Sequence, residues 1–277
     1  FLTSYMTSIL LFLSLMFENS KNLIIKSFIM KKLLLGVLCL TVVSVTIAQN
    51  TEVKKKVIDL GKIDLSNRPN DHFMIQYGAD GWLNAPDSAK PSGFSRHFNF
   101  YFMYDKPFKT NPHYSIAIGA GLGTSNVFFK DTYVNLKSVS ATLPFTDVAA
   151  SSVNRYKKFK LSTVFLEIPV ELRFAQNPVT PDKGFKGALG LKVGTLLKSY
   201  TKGKNAISNT GATLYGDKYI VKESEKKFLN TTRLAVTGRI GFGNISFDGS
   251  YQITPLLKTG TGPKINPYSF GLTLSGL

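Results

Sequence analysis

Ionisable side chains set at a spacing of two within otherwise apolar runs are the residues of this chain best placed to do chemistry. Glu167, Glu171 and Arg173 share one face of a run whose other face is Val164, Leu166, Ile168, Val170, Leu172 and Phe174. The next run places Lys186, Lys192 and Lys198 opposite Leu189, Leu191, Val193 and Leu197, and a later one places Arg233 and Arg239 opposite Leu234, Val236, Ile240 and Phe242. Charges on an inward face must be paired or wet. A hairpin across Asn177 to Lys183 sets Glu167 opposite Lys192 and, in the same register, Arg173 opposite Lys186, with Glu171 between them. With Lys198, Arg233 and Arg239 added, base exceeds acid on that face. The arrangement suits a structural charge network or, with Gly119, Gly121, Gly123, Gly190 and Gly194 leaving room, an anion-preferring passage or ligand site. Pro169 cannot donate to a ladder, so a bulge is expected beside it.

Other candidate chemistry is weaker. Gly119-x-Gly121-x-Gly123 is spaced like a phosphate loop but lies in an alternating run with no helix behind it to offer N-terminal amides. His72, His97 and His113 lie in separate segments without metal-ligand spacing, so no metal and no cofactor is expected. Ser95 and His97 share a face, and Asp87 completes a candidate trio with them. Nothing fixes that acid beside the histidine, so the trio is a poor catalytic constellation. Cys39 is the only cysteine and lies in an N-terminal apolar stretch, which leaves the rest of the chain without a thiolate or disulfide.

The elements that position these groups are strands. Phe73, Ile75, Tyr77 and Ala79 alternate with polar or small residues, as do Phe98, Phe100, Phe102 and Tyr104, then Tyr114, Ile116, Ile118, Ala120 and Leu122. Five further runs follow, over Thr163 to Phe174, Phe185 to Lys198, Thr231 to Phe242, Ile245 to Ile253 and Tyr268 to Ser275. The eight runs are long enough to cross a bilayer as tilted strands of about 9–11 residues. Connections alternate long (Leu83 to Gly93, Phe128 to Phe159, Tyr200 to Phe228, Pro255 to Ile265) and short (Asp105 to Pro112, Ala175 to Lys183, Gly243). That alternation marks outer loops and periplasmic turns. The expected fold is an all-β, eight-stranded, antiparallel, up-and-down transmembrane β-barrel, closed because an open edge in lipid leaves backbone groups unpaired. A soluble lipocalin-like barrel is the alternative.

Phe165-Leu166-Glu167-Ile168-Pro169-Val170-Glu171-Leu172-Arg173-Phe174 resembles the L-E-I-P-x-x-L-K/R strand of the PorT-like outer-membrane β-barrel proteins of Bacteroidetes. The resemblance spans residues 72–277. It implies an eight-stranded barrel and little chemistry, with one branch linked to type IX secretion. The end at Leu277, out of phase with Leu274, departs from the terminal aromatic residue common in outer-membrane strands.

The remaining segments and the composition are consistent with export. Residues 1–29 read as upstream leader, with a membrane anchor as the alternative. Residues 30–48, from Met30-Lys31-Lys32 through the uncharged Leu33 to Ile47 stretch to Ala48, read as a signal peptide. Residues 49–71 read as a periplasmic tether and 72–277 as the barrel. A mean hydropathy of +0.02 is too low for a bundle of membrane helices. Cleavage after residue 48 removes four basic side chains and one acid, which takes the net charge from +17 to +14. Much of that charge falls in long loops, where Arg155, Lys157, Lys158, Lys202 and Lys204 are expected to face lipopolysaccharide phosphates. Nucleic acid is not expected as a partner, because the basic residues are dispersed and the chain is exported. The expected role is that of a small, monomeric, non-enzymatic outer-membrane barrel of structural or interaction type, in contact with outer-membrane lipid and an envelope protein partner. The alternatives are a narrow anion-preferring pore, a ligand-binding barrel, and an outer-membrane lipid-modifying enzyme.

Overall fold

The computed structural model describes residues 68, 72–89, 91–148, 155–208, 210–216 and 218–276. The expected leader, the signal peptide, Cys39, Leu277 and most of the tether lie outside the described residues. Eleven strands are formed: β1 (Phe73–Leu83), β2 (Arg96–Pro107), β3 (Tyr114–Phe129), β4 (Thr132–Val134), β5 (Phe145–Asp147), β6 (Arg155–Ala175), β7 (Phe185–Ile207), β8 (Ile220–Ser224), β9 (Thr232–Phe242), β10 (Ile245–Gln252) and β11 (Asn266–Ser275). No helix among the described residues is long and apolar enough to cross a membrane.

Eight strands close into a ring in the order β1, β2, β3, β6, β7, β9, β10, β11, all antiparallel. The seam joins the ends of the chain, with Met74 opposite Ser275 and Leu83 opposite Asn266. These are the eight expected runs. Their outward faces are apolar and bare: Leu189 is 73 % exposed and Phe270 64 %, exposures that only a lipid surround makes tolerable. On β6 the outward run from Val164 to Phe174 covers roughly 25 Å once about 3.3 Å per residue is corrected for strand tilt, the height of an outer-membrane apolar band. At the short-turn end Tyr114, Phe174 and Phe185 form a girdle with ring centroids 5.4 and 6.5 Å apart. The tightest turn, Gly243-Asn244, is possible because Gly243 takes a φ of 63°.

Three features depart from the sequence expectation. The first concerns strand length. β6 begins at Arg155 and β7 runs to Ile207, with Lys158 opposite Lys204 and Lys160 opposite Lys202. Arg155, Lys157, Lys158, Lys202 and Lys204 therefore sit on paired strand ends, not in loops. Alternation fades there because neither face needs to be apolar above the bilayer, although the ladder continues. β8 adds to the upper part of β7, and β4 pairs with β5.

The second feature is the register between β6 and β7, which is two residues away from the expected one: Glu167 lies opposite Gly194, Arg173 opposite Ala188 and Ala175 opposite Lys186. The third is the bulge, which lies between Val164 and Phe165 rather than at Pro169. Pro169 lies opposite Lys192, and the β3 to β6 pairing resumes in the same register on its far side. The bulge leaves Leu197 and Lys198 both exposed and turns Ser199 inward. This reverses the phase of β7 and removes Lys198 from the lumen.

Buried apolar residues gather in two places. Met74, Tyr101, Met103 and Ala117 form a small cluster inside the barrel. A larger cluster lies under the long loops, where Val134, Leu136, Leu143, Phe228, Leu229 and Leu257 pack with Phe129, Phe159, Leu161 and Phe165 from the barrel wall. Trp82 meets Phe129 and Phe145 at centroid distances of 5.5 and 6.3 Å. The loops thus fold over the long-loop end and build an apolar cap that nothing in the Ser/Thr-rich loop composition announced.

Candidate functional site: a charged lumen and a basic outer wall

Inward-facing positions of successive strands stack the ionisable groups in layers. In the upper layer Glu167 is fully buried. Its Oε1 accepts from Arg233 at 2.8 Å and its Oε2 from the Tyr101 hydroxyl at 2.5 Å, with Lys192 Nζ 3.5 Å away. Lys192 also donates to Tyr101 Oη at 3.3 Å. In the lower layer Glu171 accepts from Arg173 Nε at 2.9 Å and from Arg239 through two nitrogens at 2.7 and 3.2 Å. At the short-turn mouth Asp105 meets Arg68 at 2.5 Å, Ser115 at 2.6 Å and Arg173 at 3.7 Å.

Seven of the eight expected lumen residues thus face inward. Glu167, Lys192 and Arg233 form one group and Glu171, Arg173 and Arg239 another, while Lys186 donates to Ser275 Oγ at 3.0 Å near the mouth. Lys198 is outside. Contact between Glu167 and Lys192 survives the change of register because the lysine reaches diagonally from beside Pro169. Sequence alone leaves three lumen acids out of the network: Asp80 and Asp248 lie on polar faces of alternating runs, and Asp105 reads as the start of a short turn although β2 continues to Pro107. Among the described residues they set Asp80, Asp105, Glu167, Glu171 and Asp248 against Arg68, Arg173, Lys186, Lys192, Arg233 and Arg239, so the expected excess of base shrinks to a single charge. Asp248 accepts from Thr273 at 2.8 Å, and Thr273 accepts from Gln76 at 3.0 Å. Alternation along β2 puts Tyr101 on the inner face with His97, Asn99 and Met103, but its bond to Glu167 on another strand has no signal in the sequence.

The glycines do not leave a passage. A side chain at Gly123 would overlap the Glu167 carboxylate, one at Gly121 would strike Tyr101, one at Gly119 would strike Met103, and Cβ atoms at Gly190 and Gly194 would lie 3.0 Å from Glu171 Cγ and 2.9 Å from Glu167 Cγ. The space they vacate is filled by the charged layer. Among the described residues, the voids above and below it are small: about 20 Å³ beside Asp80 and Arg233, and about 30 Å³ beside Arg68 and Asp105. Each is large enough for one or two waters.

The Ser95, His97 and Asp87 trio is not assembled. Ser95 Oγ accepts from the Phe128 backbone amide at 3.0 Å. His97 Nδ1 lies 2.9 Å from Asp80 Oδ1, and Ser125 donates to the other oxygen of Asp80. His72 and His113 turn their Nδ1 atoms to the backbone carbonyls of Met103 and Ala175, at 3.2 and 2.9 Å.

The expected lipopolysaccharide-facing cations form the second locality. Lys157, Lys158, Lys202 and Lys204 line an open hollow of about 500 Å³ on the outer wall, together with Arg96, Lys160 and Phe128. Arg155 instead meets Asp131 at 3.3 Å at the rim.

No curated protein sequence matches the chain. Among solved structures it is similar to Ail, the attachment invasion locus protein of Yersinia pestis, at 15 % identity and a TM-score of 0.31, covering 75 % of this chain and 99 % of that one. A second structure of Ail, in complex with the heparin analogue sucrose octasulfate, gives 15 % identity, a TM-score of 0.33 and the same coverage. The family model described as outer membrane protein beta-barrel domain matches residues 69–258. With its closed ring of eight antiparallel strands, its bare apolar belt and its charged interior, the chain belongs to the outer membrane protein beta-barrel domain family.

Proposed function

We propose that this protein is a non-conducting, non-enzymatic outer-membrane barrel of structural and interaction type, acting through its outer wall and capped loops rather than through its lumen. One observation carries the reading: among the described residues Tyr101, Glu167, Lys192 and Arg233 pack together across the barrel interior, and the voids above and below them are water-sized. An eight-stranded barrel is just wide enough for side chains to fill, and here paired side chains do so. A hydrated ion crossing the lumen would have to break the contacts of Glu167 with three partners at once. The anion-preferring pore is therefore disfavoured, as is a ligand site inside the barrel.

Placement among the PorT-like proteins of Bacteroidetes, and a link to secretion or other envelope machinery, rests on the Phe165 to Phe174 motif. Its inward residues Glu167, Glu171 and Arg173 are the ones that build the charged layers, which gives the motif a structural meaning. Export by a signal peptide over residues 30–48 belongs to the same reading.

Planar-bilayer recording of the refolded protein tests it. The expected trace is silent at physiological salt. Discrete conductance steps that change ion preference in Lys192→Glu would overturn the closed-lumen reading. Crosslinking in intact outer membranes tests the interaction role, which requires a reproducible envelope-protein adduct through the long-loop end or the periplasmic end.

A further inference from the structure

The outward face of the wall changes character abruptly above the apolar belt. Below the boundary stand Phe98 on β2, Leu122 on β3 and Val164 on β6; above it stand Arg96, Lys158, Lys160, Lys202 and Lys204. Like charges directly oppose one another across the ladder. Lys158 faces Lys204, Lys160 faces Lys202, and Lys202 faces Lys222 on β8. Like charges in that position repel. The bulge adds Lys198 by turning it outward. Among the described residues no carboxylate lines the hollow or forms an ion pair with these side chains.

Three of the cations, Arg96, Lys160 and Lys222, are held against aromatic rings of the wall. Arg96 Cζ lies 5.2 Å and Lys160 Nζ 5.8 Å from the centroid of the same Phe128 ring, and Lys222 Nζ lies 4.1 Å from that of Tyr200. Lys160 also donates to Asn126 Oδ1 at 2.6 Å, an oxygen shared with the Ser162 hydroxyl at 2.8 Å. The hollow of about 500 Å³ has the size of a small-molecule site. Its lining comes mainly from the ends of β2, β3, β6 and β7, just above the level where the apolar belt ends and where lipid headgroups lie. An unbalanced row of cations at that height calls for anions, and charge-assisted contact with phosphate is what Lys and Arg supply best.

We propose that this wall binds a phosphate-bearing outer-leaflet glycolipid of the lipid A type, its phosphates among Arg96, Lys160 and Lys202 and its acyl chains against Phe98, Leu122 and Val164. This rests on the reading of the chain as an outer-membrane barrel with its long loops outward. The opposed lysines, costly to the bare protein, then become the specificity for a doubly charged headgroup. Lipid binding in turn stiffens the long β6 to β7 hairpin that stands above the membrane.

Native mass spectrometry of the full folded protein tests the proposal, with synthetic bis-phosphorylated lipid A and the same lipid stripped of its phosphates as probes. The expected result is at least tenfold higher occupancy by the phosphorylated lipid, lost in Arg96→Gln/Lys160→Gln/Lys202→Gln and kept in Lys202→Arg. Equal retention of both lipids, unchanged binding in the triple variant, or full displacement by inorganic phosphate at equal concentration would overturn it. If the triple variant does not fold, Lys202→Gln alone must lower occupancy severalfold, and no change there overturns the proposal. Heat-dependent gel mobility of the wild-type protein is scored in parallel. Its absence would bring down the barrel reading itself, a failure distinct from loss of lipid selectivity in a folded barrel.

Discussion

Glu167 is the residue on which the interior depends most. It is fully buried and, among the described residues, is the one carboxylate in contact with both Lys192 and Arg233. Removing one member of a buried ion pair leaves an uncompensated charge, which costs about 3–5 kcal/mol. Glu167→Gln should therefore lower the urea midpoint of refolding into lipid vesicles by that order. Lys198→Gln should move it by less than about 0.5 kcal/mol, because the side chain is outside and exposed. A large effect at Lys198 would contradict the bulge. Gly123→Ala tests the packing from the other side: its Cβ would overlap the Glu167 carboxylate, and overpacking of this kind costs roughly 1–3 kcal/mol. Loss of stability without any gain in conductance is the expected outcome.

Among the elements, the cap over the long-loop end is the part with most internal logic of its own. Tyr133 on β4 donates to Glu223 on β8 at 3.2 Å, Leu143 N donates to Thr261 O at 2.8 Å, and Lys227 reaches the carbonyls of Ser138 and Ser140. Three different loops are tied by these contacts. Burial, and after it the Glu223 carboxylate, pushes the Tyr133 hydroxyl up to about 12 from an ordinary value near 10. A raised value in the folded state means that the contribution is complete below the ordinary value and is lost as pH climbs to the raised one. Protease cleavage within residues 132–147 should thus increase between about pH 10 and 12, and Tyr133→Phe should remove that step. Cleavage that is independent of pH across this window would show that the tyrosine does not hold the cap.

For the whole molecule, the seal has two independent parts, the apolar cap and the charged layers beneath it. Removing residues 132–147 opens the cap but leaves Glu167, Lys192, Arg233 and Tyr101 in place. The shortened protein should remain silent in planar bilayers and keep its heat-dependent mobility shift in detergent gels. Ion conductance in that variant would make the cap the true barrier and the lumen a passage. Closure of the ring between β1 and β11 is the reason a mobility shift is expected, since a sheet without edges should resist detergent until heated.

Alternation in runs such as Phe98 to Tyr104 and Val164 to Phe174 determined the fold from sequence alone, because a strand in lipid must present one apolar face and closure follows from the lack of water at its edges. The same period placed Glu167, Glu171, Arg173, Lys192, Arg233 and Arg239 inside. It could not say which partner each meets. Cross-strand register is set by the bulge between Val164 and Phe165 and by packing against Gly123 and Gly194, features with no local signature in the chain. Asp80, Asp105 and Asp248 were visible as polar positions, but their closeness to the basic groups depends on curvature around the barrel. Above the membrane the period disappears, since neither face needs to be apolar there, and the basic strand ends read as loop. Only the tertiary structure decided that these cations form one wall, that Lys198 belongs to it rather than to the lumen, and that the interior is full: a one-residue bulge reverses the phase of every side chain beyond it.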